Sequence, residues 1–207
     1  MLNWTREKDK IVGATNSSFL SLIPKENNPL TLNHFRPISL CNTSYKILSK
    51  ILVNRMKNYM GRLILEPQGG FIAGCQILDN IILVQEAIHS SMERKQQGMA
   101  IKLDTANAFN RVNHFFLFET MAKFSFSRRF VRWFKSCISC PWIAPLVNGR
   151  PTNFFQATKG LRQGYPLSPF LYLLVAETLN KKLKRMQDTG ELKGLKIARG
   201  VRDVNHA

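Results

Sequence analysis

The chain has 207 residues, 44% of them hydrophobic and 10% aromatic, enough for one sizeable core or two lobes and too apolar for a disordered polymer. Against 13 acids stand 30 lysines and arginines, a formal net charge of +17, which selects a polyanionic partner, nucleic acid before others, over a merely soluble basic protein. No apolar run approaches the roughly 20 residues that span a bilayer, and the opening MLNWTREKDK is charged where a secretion signal is apolar, so an intracellular chain without a membrane span is expected.

Residues 1–16 are polar and aperiodic and read as an irregular leader. SFLSLIP (18–24) and FRPISL (35–40) are short apolar runs around the turn-rich KENNPLTLN, the pattern of a hairpin. From Tyr45 to Leu65, Ile47, Leu48, Ile51, Leu52, Met56, Tyr59, Met60 and Leu63 make a helical stripe, with the cations 46, 50, 55, 57 and 62 on the other face. EPQGGFIAG (66–74) is a glycine-rich loop. A second helix is expected over 79–94, with Ile81, Val84, Ile88 and Met92 turned inward.

MAIKL (99–103) reads as a short buried strand running into Asp104, and 115–124 and 127–137 as helices. APLVN (144–148), the turn Gly149-Arg150-Pro151 and TNFFQA (152–157) make a second hairpin. A long helix, apolar and then basic, follows from Pro169 to Met186. The order of elements predicts an α+β fold. Cys137 and Cys140 form a C-x-x-C with no second cysteine or histidine pair, so zinc is unsupported and free thiols in a reducing compartment are expected.

Three features carry chemistry. Asp104 ends the predicted strand and is followed by small residues; a carboxylate so placed suits a Mg²⁺ shared with phosphates, or caps the next helix. GLRQGYPLSP (160–169) is a glycine-flanked loop feeding the long helix. There Gly160 and Gly164 permit close backbone approach, Arg162 offers a phosphate-pairing fork, and Gln163 can bond a sugar or base edge. The same loop also reads as a structural turn starting a helix at Ser168-Pro169. Lys25 and Arg36 flank the first hairpin's turn, where they converge on an anion or stand as solvated charges.

With these residues in hand, SLIPKENNP, NHFRPISLCNTSYKILSKILVNRMK, EPQGGFIAGCQILDNIILVQEAIHS, MAIKLDTANAFNRV and ATKGLRQGYPLSPFLYLLVAETL, in this order, resemble the reverse transcriptase of plant-type LINE (non-LTR) retrotransposons over about 17–207. The resemblance implies a partial right-hand polymerase, with fingers over 17–97, an incomplete palm over 98–207 and no thumb. It implies RNA-directed DNA polymerase chemistry with Mg²⁺, an RNA template, a DNA primer and a dNTP. Asp104 then matches the first metal-binding aspartate and the Thr105 carbonyl a second backbone ligand. Phe109 matches the aromatic under the incoming sugar, and Gln163 with Gly164 the loop that packs on nucleotide and template. Lys25 and Arg36 match the fingers residues that grip the triphosphate, and the basic face of helix 45–65 would lie along nucleic acid.

Four departures stand out: Cys75 for arginine, Asn107 for lysine, Asn110 for aspartate and Tyr165 for aspartate, the pattern of relaxed constraint in a decaying element. The family's paired aspartates would follow after Ala207. The expectation is therefore a fragment inactive by itself, or, as the alternative, a non-enzymatic basic nucleic-acid-binding remnant.

Overall fold

The computed structural model describes residues 11, 13–64, 77–139 and 141–195. The two apolar runs around Pro29 become strands β1 (Ser17–Pro24) and β2 (Phe35–Cys41), paired antiparallel from Ser18 opposite Cys41 to Pro24 opposite Phe35. Alternation sets the faces. Ser18, Ser39 and Cys41 are buried on one side, while Phe19, Ile23 and Leu40 lie exposed on the other. Asn42 then caps helix α1 (Thr43–Leu63), its Oδ1 accepting from Tyr45 N–H at 2.8 Å. Tyr45, Leu48, Leu52, Val53, Met56 and Met60 are the buried stripe, and the five predicted cations of this helix are all exposed. Ile47, Ile51 and Tyr59, expected inside, are exposed.

Helix α2 spans Ile77–Glu93. Its inward face is not the expected one. Ile81, Val84, Ile88 and Met92 are exposed, and Ala87, at 5% exposure, is the buried position, with Asn80, Leu83 and Ser90 half-buried on the same side. The sequence carries that apolar stripe, but periodicity only marks a face; tertiary packing decides which side turns in, and here it is the side of the small Ala87. The predicted strand 99–103 is also corrected. That stretch has no regular structure, and Met99 and Leu103 are 78% and 75% exposed. An apolar alternation becomes a strand only when another strand takes its hydrogen bonds, and none among the described residues does.

Short helix α3 (Ala108–Arg111) is followed by α4 (His114–Lys123) and α5 (Arg128–Ile138). Asn113 and Ser127 cap the last two by accepting from Phe116 N–H at 3.2 Å and Phe130 N–H at 3.3 Å. Strand β3 (Trp142–Val147) turns back through Asn148 and Gly149, at φ of 51° and 76°, into β4 (Arg150–Pro151) and β5 (Phe155–Gln156). Two consecutive positive φ values are what a tight primed turn needs, so the turn residues are 148–149 rather than 149–151. Strand β3 also runs parallel to β1, with Ser18 opposite Ile143, giving the sheet order β2-β1-β3-β4, with β5 on β3. Helix α6 spans Ser168–Asp188.

The mixture of one sheet and six α-helices among the described residues is the α+β class read from the sequence. Two compact units form. One comprises 1–56 and 107–172 and holds the sheet, with Leu117, Met121, Phe134 and Leu171 fully buried; the other comprises 57–106 and 173–207, with Met60, Ala87, Leu174 and Glu177 inside. The loop 66–74 and Cys75 lie outside the described residues.

Candidate nucleotide and template site

The glycine-flanked loop is fastened along its whole length. Gly160 N–H donates to Val112 O at 2.8 Å, Leu161 N–H to Phe109 O at 2.7 Å, and Gln163 O accepts from Ser39 N–H at 2.9 Å. His114 Nε2 lies 2.8 Å from Gly160 O, and Ser168 Oγ donates to Arg162 O at 2.6 Å. Three segments far apart in sequence, β2, the Phe109 turn and this loop, are thereby joined within the first unit. Gly160 (φ 90°) and Gly164 (φ 91°) take up the left-handed backbone this requires. A Cβ on Gly160 would come within 2.8 Å of Asn110 O, and one on Gly164 within 3.3 Å of Ser39 O. Glycine is demanded at 160 by close backbone approach as well as by its φ, and at 164 chiefly by its φ.

The residues singled out in the sequence fall into three groups. Phe109 and Gln163, both half-buried, and exposed Gly164 are brought together by these bonds; the Phe109 ring rests against Tyr172 with centroids 5.3 Å apart. Lys25 and Arg36 stand exposed at one end of the β1–β2 hairpin, Lys25 Nζ donating to Asn33 O at 2.7 Å across the turn. His34 and Glu26 pair beside them. Asp104 and Thr105 are exposed and belong to the second unit. Asp104 is not a helix cap, because the residue before α3 is Asn107, in a left-handed conformation (φ 54°, ψ 42°) that asparagine tolerates better than lysine.

For a divalent cation, Asp104 is one carboxylate with a carbonyl next to it at Thr105. Among the described residues no group of three or more His, Cys, Asp or Glu side chains converges. Mg²⁺ takes one or two carboxylates together with phosphates and water, so Asp104 fits as a single ligand and not as a site by itself.

Arg162 needs correction as a phosphate fork. Only 8% exposed, its guanidinium turns into the core and donates to Asn16 O at 2.9 Å, Asn16 Oδ1 at 2.7 Å and Cys137 O at 2.8 Å. It lies 3.9 Å from the Tyr165 ring centroid and 4.6 Å from that of Tyr45. A buried cation is tolerable there because two ring faces and three neutral oxygens replace its hydration, one of them in the last turn of α5, where the helix dipole is negative. The cavity beside it is about 10 Å³, room for one water and not for a nucleotide. Burial pushes the Tyr165 hydroxyl and the Cys137 thiol up to about 12 against the opposing pull of Arg162, and raises Tyr45 well above its ordinary range. Tyr45 Oη also donates to Cys137 O at 2.8 Å.

Asn16, Tyr45 and Cys137 were not legible as a set. Asn16 sits in the polar stretch read as a leader, yet it is 6% exposed and anchored. Tyr165, read as a departure from aspartate on the resemblance alone, belongs to the same cluster, its ring standing over the guanidinium.

A right-hand polymerase is also what the backbone resembles. Apo telomerase from Candida tropicalis, truncated from its C-terminal domain, superposes with a TM-score of 0.56 over 91% of this chain and 44% of that one, at 16% identity, a likeness of fold alone. In sequence, the chain is 32% identical over 158 residues to the Transposon TX1 uncharacterized 149 kDa protein of Xenopus laevis, covering 76% of this chain and 12% of that protein. It is 26% identical over 162 residues to the retrovirus-related Pol polyprotein from the type-2 retrotransposable element R2DM of Drosophila melanogaster, covering 78% and 15%. The chain therefore spans less than a sixth of these relatives' lengths. The family model for reverse transcriptase (RNA-dependent DNA polymerase) matches residues 23–198, a stretch that runs from the first hairpin through the fastened loop and α6, and on that match the chain belongs to the reverse transcriptase family.

Proposed function

We propose that this chain is part of a retrotransposon's RNA-directed DNA polymerase and receives the incoming dNTP against an RNA template and DNA primer. The observation that carries the reading is the pair of backbone bonds, Leu161 N–H to Phe109 O and Ser39 N–H to Gln163 O, which ties the chain at Phe109 and at Gln163 to the same loop. Phe109 lies under the sugar and discriminates against a 2′-hydroxyl; Gln163 and Gly164 pack on the nucleotide and the template base. Lys25 and Arg36, on the fingers-like part, neutralise the triphosphate. Asp104 and the Thr105 carbonyl are the groups of the second unit that would offer oxygens to a Mg²⁺, and that ion would supply positive charge against phosphates. Arg162 serves this site by fixing the loop from inside.

The test is equilibrium binding of a fluorescent dCTP analogue to the chain loaded on an RNA–DNA template–primer whose next template base is guanine. Gln163→Ala should weaken dNTP binding about tenfold, and Phe109→Ala should reduce the preference for dCTP over CTP by a similar factor. Binding of template–primer with no dNTP affinity in any variant would instead favour the non-enzymatic nucleic-acid binder, which the net charge of +17 supports. Unchanged dNTP binding in both variants would overturn the assignment of these residues.

A further inference from the structure

Phe109 sits in α3, a single helical turn of four residues. Its backbone is pinned. Phe109 O accepts from Leu161 N–H at 2.7 Å, and Asn110 N–H and Arg111 N–H close the turn on Asn107 O at 2.9 and 3.2 Å. Those bonds fix where the side chain starts and leave its two torsions to be set by what it meets. The half-buried ring rests against Tyr172, with centroids 5.3 Å apart and planes tilted by 35°, an offset arrangement that two aromatic quadrupoles favour.

Tyr172 is mounted on a stiffer element than the ring it supports. It lies in the second turn of α6, next to Phe170 and Leu171, which are both buried. The start of that helix is anchored by Ser168 Oγ donating to Arg162 O at 2.6 Å and by Leu171 N–H donating to Leu167 O at 3.1 Å. Tyr172 itself is half-buried, and the contact it makes with Phe109 is ring to ring. Telling a sugar from one with an added hydroxyl by contact requires a surface that does not yield. An unbacked aromatic on a short turn changes rotamer on the picosecond-to-nanosecond scale, and a misplacement of about 1 Å in a site can cost about a hundredfold.

We propose that Tyr172 is a positioning residue for sugar selection. Its ring closes one side of the space open to Phe109 and holds that ring in the orientation in which it meets the 2′ position of the incoming nucleotide. This deepens, and rests on, the reading of Phe109 as the residue under the sugar. Tyr172 acts through Phe109 and by its ring, not by its hydroxyl. A pair that served packing alone would change stability and leave the preference for dCTP over CTP untouched.

The experiment measures affinities for fluorescent dCTP and CTP analogues with the full chain on an RNA–DNA template–primer. The proteins are the parent, Tyr172→Phe, Tyr172→Leu, Phe109→Ala, and Phe109→Ala combined with Tyr172→Leu. Tyr172→Leu should lower the dCTP-to-CTP affinity ratio about threefold to tenfold, whereas Tyr172→Phe, which keeps the ring, should stay within about twofold of the parent. The double variant should match Phe109→Ala, because residues that act as a unit do not add. If Phe109→Ala lowers the ratio and Tyr172→Leu does not, or if the two losses add, the inference alone is overturned. An unchanged ratio in Phe109→Ala overturns the reading of Phe109, and the inference with it. A second readout needs no nucleotide: vicinal NMR couplings across χ1 of isotope-labelled Phe109. They should report one rotamer in the parent and in Tyr172→Phe, and an average in Tyr172→Leu. Averaged couplings in the parent, or one rotamer in Tyr172→Leu, overturn the inference. Should Tyr172→Leu fail to melt cooperatively, Tyr172→Met, unbranched and without a ring, replaces it under the same criteria.

Discussion

Arg162 shows how one side chain can carry a motif's importance without touching a ligand. Its five donors and flat ion suit a site built from carbonyls and ring faces, where the compact, strongly hydrated ammonium of lysine does not. Replacing it strands Asn16 O and Oδ1 without their donor, whereas Cys137 O keeps the Tyr45 hydroxyl. Arg162→Lys should therefore destabilise the chain by about 1–3 kcal/mol and Arg162→Gln by about 3–5 kcal/mol, read as shifts in urea midpoint at constant slope. If Arg162→Lys unfolds within 0.5 kcal/mol of the parent, the guanidinium geometry is not what holds the loop.

Among the elements, the loop 160–168 owes its shape to backbone bonds rather than to its own side chains. Gly160 is its pivot, with both a positive φ and a carbonyl 2.8 Å from where a Cβ would stand. Gly149 is the control, since it has a similar φ of 76° and nothing within 4 Å. Gly149→Ala should cost about 1 kcal/mol, the backbone penalty alone, and Gly160→Ala about 2–4 kcal/mol because Asn110 must also move. Thermal melts of the two variants separate the contributions; equal losses would mean the 109–114 segment yields freely and does not brace the loop. The same dependence on partners explains the two misread elements. The run 99–103 has the right alternation and no partner strand among the described residues, and the apolar stripe of α2 at Ile81, Val84, Ile88 and Met92 stays exposed while Ala87 is covered, because periodicity marks a face and not what packs on it.

For the molecule as a whole, the buried Tyr45–Cys137–Arg162–Tyr165 cluster links stability to alkali. Cys137 rises from its ordinary 9.0, and Tyr165 from 10.0, each to about 12. Both are neutral when protonated, so the unfolded chain gives up these protons first, and stability present below pH 9 is lost as pH climbs toward 12. The melting temperature should be flat through pH 8 and fall between about pH 9 and pH 12. Tyr165→Phe keeps the ring over Arg162 and removes the titrating hydroxyl, so its curve should fall less steeply above pH 10. An identical alkaline fall in the two proteins would place the titration elsewhere.

Local chemistry was readable from the sequence because it depends on neighbours along the chain. The hairpin around Pro29, the helices read over 45–65, 115–124 and 127–137, the long helix starting at Ser168-Pro169, and the glycines of the 160–164 loop all follow from turn residues, helix-start residues and periodicity. The motif order likewise carried the family. What only the tertiary structure decided were relations between distant segments: β1 lying parallel to β3, the Phe109 turn meeting the loop at Leu161, and Asn16 turning inward to Arg162. An arginine reads the same in a sequence whether it faces phosphate or core. Which it meets depends on acceptors 25 and 146 residues away, brought there by the burial of apolar faces that carry no label naming their partners.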